Sequence, residues 1–136
     1  MRIPRVLLPS LQEVSLAGTF FYAEVYLSMS YVYISGKITG NENYRSQFEK
    51  REKELKALGY IPVNPVRIYD RLKCRIGREP SRDEIMAEDI RELKKCEYIN
   101  FLGNWKESEG AREEYKVAQE NNITTLNFKL VPRGWD

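Results

Sequence analysis

The 136-residue chain contains no histidine. Without an imidazole there is no Ser-His-Asp or Cys-His catalysis, no HExxH zinc site and no side chain that ordinarily changes charge near neutral pH. Any acid–base chemistry falls to carboxylates, Tyr, Lys or Cys. Cysteine is scarce as well. Cys74 and Cys96 are too few for a disulfide scaffold and lack the CxxC spacing of a metal or redox motif, so they read as free structural thiols in a reducing cytoplasm. No apolar run approaches the ~18 residues of a membrane span, so no membrane is expected among the partners. Neither sign of charge is in excess: 22 Lys+Arg against 20 Asp+Glu leave +2. That excludes the dense basic footprint of a nucleic-acid binder. Nothing in the sequence calls for a metal or a cofactor.

What is present suits one soluble folded domain. Apolar residues are 42% and charged residues 31%, unlike the low-hydrophobicity, high-charge mix of a disordered chain. Residues 1–28 differ from the rest: a basic start (Arg2, Arg5), scattered apolar residues, and Glu13 and Glu24 breaking any apolar core of a secretory signal. We expect Met29 to be the natural start, with 1–28 an upstream extension translated in frame; the alternative is a genuine N-terminal strand or arm. The ordered domain is expected over 29–136.

From Met29 the pattern alternates. A strand over 30–35 leads into the loop Gly36-Lys37-Ile38-Thr39-Gly40. A helix over 43–58 follows, with Tyr44, Phe48, Leu55 and Leu58 on one stripe and Gly59 as its stop. A short strand over 60–64 runs into Pro65. Residues 66–80, charged and carrying Gly77 and Pro80, read as a loop with room for one helical turn. Ser81-Arg82-Asp83-Glu84 is a capping box opening a helix to Lys95. A strand over 97–102, a helix over 109–121 and a strand over 123–128 complete the chain. Strict alternation of strand and helix argues for an α/β fold, a mostly parallel sheet with helices on both faces. Such sheets take ligands at the carboxyl ends of their strands, where strand order reverses.

Two carboxylates sit on the wrong side of their helices. In the helix from Ser81 the apolar stripe is Met86, Ile90 and Leu93; at about 100° per residue, Asp89 falls about 60° to one side and Glu88 on the opposite, solvent face. In the later helix Ala111, Tyr115 and Ala118 form the stripe, Glu114 lies about 60° off its centre, and Glu113 points away. A carboxylate beside a buried stripe loses hydration unless it is hydrogen-bonded or paired. Either acid alone could be held by a neighbouring Arg or curl out to solvent. Two of them abutting one sheet edge point to a site, and unlike carboxylate pairs are how glycosyl transfer proceeds without histidine. Ser108 and Gly110 open the second helix, as an N-cap and turn glycine or as donors to an anion. Trp105, in the preceding loop, is assigned to packing.

Together these segments resemble a known superfamily. Tyr33-Ile34-Ser35-Gly36-Lys37-Ile38-Thr39-Gly40, Asp89-Ile90-x-x-Leu93 with Cys96-Glu97, and Ser108-x-Gly110-x-x-x-Glu114 with Ala118 look like the nucleoside 2-deoxyribosyltransferase-like superfamily. With the Asn64-Pro65 step they are most similar to a bacterial and phage domain-of-unknown-function branch of it. The likeness covers residues 30–128 and implies a flavodoxin-like Rossmann three-layer sandwich with four or five strands. It also implies a homodimer or larger homo-oligomer.

By that resemblance Glu114 is the nucleophile, attacking the anomeric carbon of a nucleoside or nucleotide, expelling the base and forming a covalent glycosyl-enzyme. Asp89 matches the aspartate that binds a sugar hydroxyl or assists proton transfer, and Tyr33 a tyrosine contacting nucleophile or sugar. Ser108 and Gly110 match positions holding the 5′ end, and Gly36 and Lys37 join them as substrate-binding residues. The chain departs from the pattern in three places. Thr39 stands where monophosphate-hydrolysing members carry arginine, one extra residue separates Asp89 from Glu114, and the tail 129–136 does not match the segment transferases lend a neighbouring subunit. The alternative expectation is a catalytically inactive nucleotide-binding or sensing module of the same fold.

Overall fold

The computed structural model describes residues 30–127. The expectations for residues 1–29 and for 128–136 lie outside them. Four parallel strands form one sheet in the order β2-β1-β3-β4: β1 Tyr31–Ser35, β2 Ile61–Val63, β3 Tyr98–Phe101 and β4 Thr124–Thr125. Four helices connect them: α1 Tyr44–Ala57, α2 Pro65–Ile76, α3 Arg82–Leu93 and α4 Glu109–Glu120, with a 3₁₀ turn at Trp105–Glu107.

Handedness sets the layers. From β1 the chain moves one way to β2, then back across β1 to β3 and on to β4. Right-handed crossovers therefore place α1 on one face and α2, α3 and α4 on the other. Strand alternation follows suit. Val32 and Ile34 pack with Phe48 and Leu55 of α1 and with Leu102, while Tyr33 joins Ile68, Leu93, Cys96, Ile99 and Ala118 on the opposite face. The result is a flavodoxin-like three-layer α/β fold. The strand order reverses between β1 and β3, and all carboxyl ends point to one edge.

Within 66–80, read as a loop, residues up to Ile76 are corrected to helix, and 77–80 remain a loop. The Asn64 side chain accepts from the Val66 N–H, Pro65 occupies the first turn, and Gly77, at φ 73°, closes the C-terminus. Pro65, Ile68 and Leu72 recur on the buried side. Arg67, Asp70, Arg71, Lys73 and Arg75 occupy the rest, and that charge concealed the stripe. Two smaller corrections accompany it. Leu58, expected on the stripe of α1, is its C-cap residue and half exposed. Cys74 faces solvent rather than serving as a packed thiol, whereas Cys96 is buried. Among the described residues no helix is long and apolar enough to cross a membrane.

Candidate active site

Tyr33 and Ser35 stand two residues apart on β1, hence on the same face of the sheet. That face meets α4, started by Ser108, whose hydroxyl accepts from the Ala111 N–H at 3.1 Å. Counting from this cap brings Glu114, the sixth residue of the helix, inward, while Glu113 is exposed. The Tyr33 hydroxyl donates to Glu114 Oε2 at 2.6 Å and the Ser35 hydroxyl to Oε1 at 2.7 Å. Glu114 is 6% exposed, and Tyr33 and Ser35 are fully buried.

Asp89 arrives from the neighbouring helix. The capping box forms as expected, with Ser81 accepting from the Glu84 N–H and the Glu84 carboxylate from the Ser81 N–H. This fixes the phase of α3 and turns Asp89 inward, 5% exposed. Asp89 Oδ1 is buried with no hydrogen-bond partner. Asp89 and Glu114 line the same cleft of 310 Å³, together with Gly36, Ser108 and Gly110. That volume is near the lower end of small-molecule pockets. The cleft opens at the carboxyl edge of the sheet, where strand order reverses.

Electrostatics separate the two acids. Burial pushes Glu114 up to about 7, opposed by the hydrogen bonds from Tyr33 and Ser35. Asp89 is pushed up to about 8, first by burial and then by the negative charges of Glu114 and Glu88. Nothing donates to Asp89 Oδ1 to hold it down. Burial also raises the Tyr33 phenol well above its ordinary value, with Glu114 and Asp89 adding to the effect, so it acts as a donor. The Cys96 thiol, pushed up to about 12 mainly by burial, is no nucleophile.

Of the residues singled out in the sequence, Tyr33, Gly36, Asp89, Ser108, Gly110 and Glu114 come together here. Lys37 does not line the cleft. Its ammonium pairs with Glu107 at 3.1 Å and its N–H reaches toward Asn104. Gly36 has a steric reason to be glycine: a Cβ there would lie 2.8 Å from Leu102 Cδ1. Glu88, expected to face solvent, is instead buried between Arg91 and Arg75, the latter at 3.2 Å. Arg75 belongs to α2, the helix that the sequence concealed, and α2 covers that side of α3. Trp105 packs on Phe101 and Tyr115, with ring centroids 4.2 and 5.2 Å away.

Three contributors were missed. Ser35 could have been found from its position two residues beyond Tyr33 on a strand. Met86, placed on the core stripe, is half-buried and lines the cleft with Ile85, giving it an apolar wall. Arg82 also lines the cleft and spans from α3 to Glu109 at the start of α4, 2.7 Å away.

Residues 30–126, which carry the whole of this site, match the model of the family described as domain of unknown function, DUF4406. The chain belongs to that family. No curated protein matches it. In this DUF4406 domain the matched segment begins at β1 and ends just past β4.

Proposed function

We propose that the protein cleaves or transfers at the N-glycosidic bond of a (deoxy)nucleoside or nucleoside 5′-monophosphate, with Glu114 as nucleophile and a covalent glycosyl-enzyme between two half-reactions. The observation that carries this is the unequal treatment of two buried acids in one cleft. Glu114 receives a donor on each oxygen, and Asp89 Oδ1 receives none. Donors favour the anion, and burial without them favours the protonated acid. One proton shared by the pair therefore resides preferentially on Asp89.

In the first half-reaction a Glu114 carboxylate oxygen attacks C1′. The C1′–N bond breaks with its electron pair going to the base, and Asp89 delivers its proton to that nitrogen. In the second, water or an incoming base attacks C1′, the bond to Glu114 breaks, and Asp89 takes up the proton released. Two inversions give net retention. The apolar wall of Ile85 and Met86 lowers the polarity around the developing cationic sugar, so the fixed anion acts on it more strongly than in water. A homodimer or larger homo-oligomer belongs to the same proposal, and the mass in solution tests it.

The test is incubation of the full chain with a panel of nucleosides, deoxynucleosides and their 5′-monophosphates, measuring free base and base exchange. Base release or exchange supports the proposal. Binding without either leaves a non-catalytic nucleotide-binding module, and neither binding nor turnover ends both readings.

A further inference from the structure

We propose that Ser35 is a positioning residue that holds Glu114 ionised and fixed in one orientation at the cleft; its effect on catalysis rests on the proposed role of Glu114 as nucleophile.

A buried serine usually satisfies its hydroxyl on a nearby backbone carbonyl. Ser35 instead donates to a carboxylate 79 residues away, at 2.7 Å. Its main chain cannot drift, because it lies in the β1–β3 ladder opposite Phe101 and its carbonyl accepts from the Leu102 N–H at 2.8 Å. The strand places the oxygen and the rotamer aims it.

Tyr33 alone would hold one carboxylate oxygen and leave the group free to pivot about that bond. The second donor, on Oε1, removes that freedom. It also opposes burial, which drives Glu114 toward the neutral form, and a neutral carboxyl does not attack an anomeric carbon. Ser35 and Tyr33 thus form a two-point cradle, reached from a single strand by period-two alternation.

The competing role is filler: a small side chain that merely fits beneath α4. Two variants separate donor from filler. Ser35→Ala removes the hydroxyl, and Ser35→Cys keeps the shape but is a weak donor. Carbon-13 carboxyl titration of the full chain follows Glu114, in an Asp89→Asn background so that one acid of a coupled pair titrates alone. Both variants should raise the Glu114 midpoint by about one pH unit, the size expected for one charge-assisted hydrogen bond. With Asp89 intact, kcat near neutral pH should fall about tenfold in both variants, with the acid limb displaced upward by about a unit and KM little changed.

An unmoved midpoint in Ser35→Ala, or wild-type behaviour of Ser35→Cys alone, overturns the proposal in favour of filler. The titration needs no substrate. If the wild type turns over no nucleoside, the proposed function fails while the titration still decides what Ser35 does to Glu114.

Discussion

Tyr33 and Glu114, 81 residues apart in the chain, are joined by a 2.6 Å hydrogen bond that ties β1 to α4. The phenol keeps its proton, so the bond holds Glu114 with a donor of fixed polarity. Tyr33→Phe should therefore cost stability, because a buried carboxylate oxygen loses its partner. A loss of about 1–3 kcal/mol in urea unfolding at pH 8 is expected. Unchanged stability would mean that the oxygen finds another donor.

Helix phase makes a sharper prediction for two adjacent residues. Glu114→Gln should lower turnover by about a thousandfold or more, as expected for loss of a nucleophile. Glu113→Gln, on the exposed side of α4, should leave it within about twofold, like most surface changes. Steady-state assays of both, with circular dichroism as a check on folding, decide it. Equal losses would contradict the assignment.

The raised carboxyl groups give a definite sign to the pH dependence of stability. Between the ordinary aspartate value of 3.8 and about 8, the unfolded chain has released the Asp89 proton while the folded chain retains it. The folded state then binds more protons, so this contribution to stability falls as pH rises through that window and is lost above it. Glu114 acts in the same direction between 4.5 and about 7. Asp89→Asn should thus melt above the wild type at pH 9 and close to it near pH 4. Parallel melting curves across this range would show that Asp89 is not strained by its burial.

Activity should be confined to a narrow range. The productive form carries one negative charge on the pair, so kcat/KM should follow a bell with limbs near about 7 and about 8, which belong to the pair jointly. Asp89→Asn should remove the alkaline limb. A profile flat from pH 6 to 9 would count against two coupled acids.

Arg82 is the cation positioned to reward an anionic substrate, since it lines the cleft and reaches the start of α4. Monophosphates should bind more tightly than nucleosides, and progressively less so with added salt. Arg82→Ala should erase the preference in titration calorimetry. Salt-independent binding without phosphate preference would indicate a nucleoside pocket instead.

The layered fold was legible because hydrophobic alternation and caps are local signals. Val32, Ile34, Ser81 and Ser108 state their roles within four residues of themselves. The inward acids were legible for the same reason, since a cap fixes the phase of everything after it. What stayed hidden depended on partners distant in sequence. α2 is obscured by a dense charged face: Pro65, which reads as the end of a strand, is its first residue, and Gly77, which reads with Pro80 as loop, is its stop. Helical phase alone turns Glu88 to solvent; its burial rests on Arg75 of α2, far away in sequence, and on Arg91. Ser35 declared nothing until the strand brought it beneath Glu114.

The cap on α4 has a final consequence for recognition. The Ser108 oxygen already accepts from Ala111, which leaves its proton to give away. With the open amides of the first helical turn beside it, that end of the cleft speaks to a visitor only as a giver of protons. Asp89 Oδ1, in the same cleft, has no protein donor and asks for one when ionised. A molecule that meets both matches them with lone pairs beside the cap and, beside Asp89, with an N–H or O–H while that carboxylate is ionised and with a lone pair once it holds the proton.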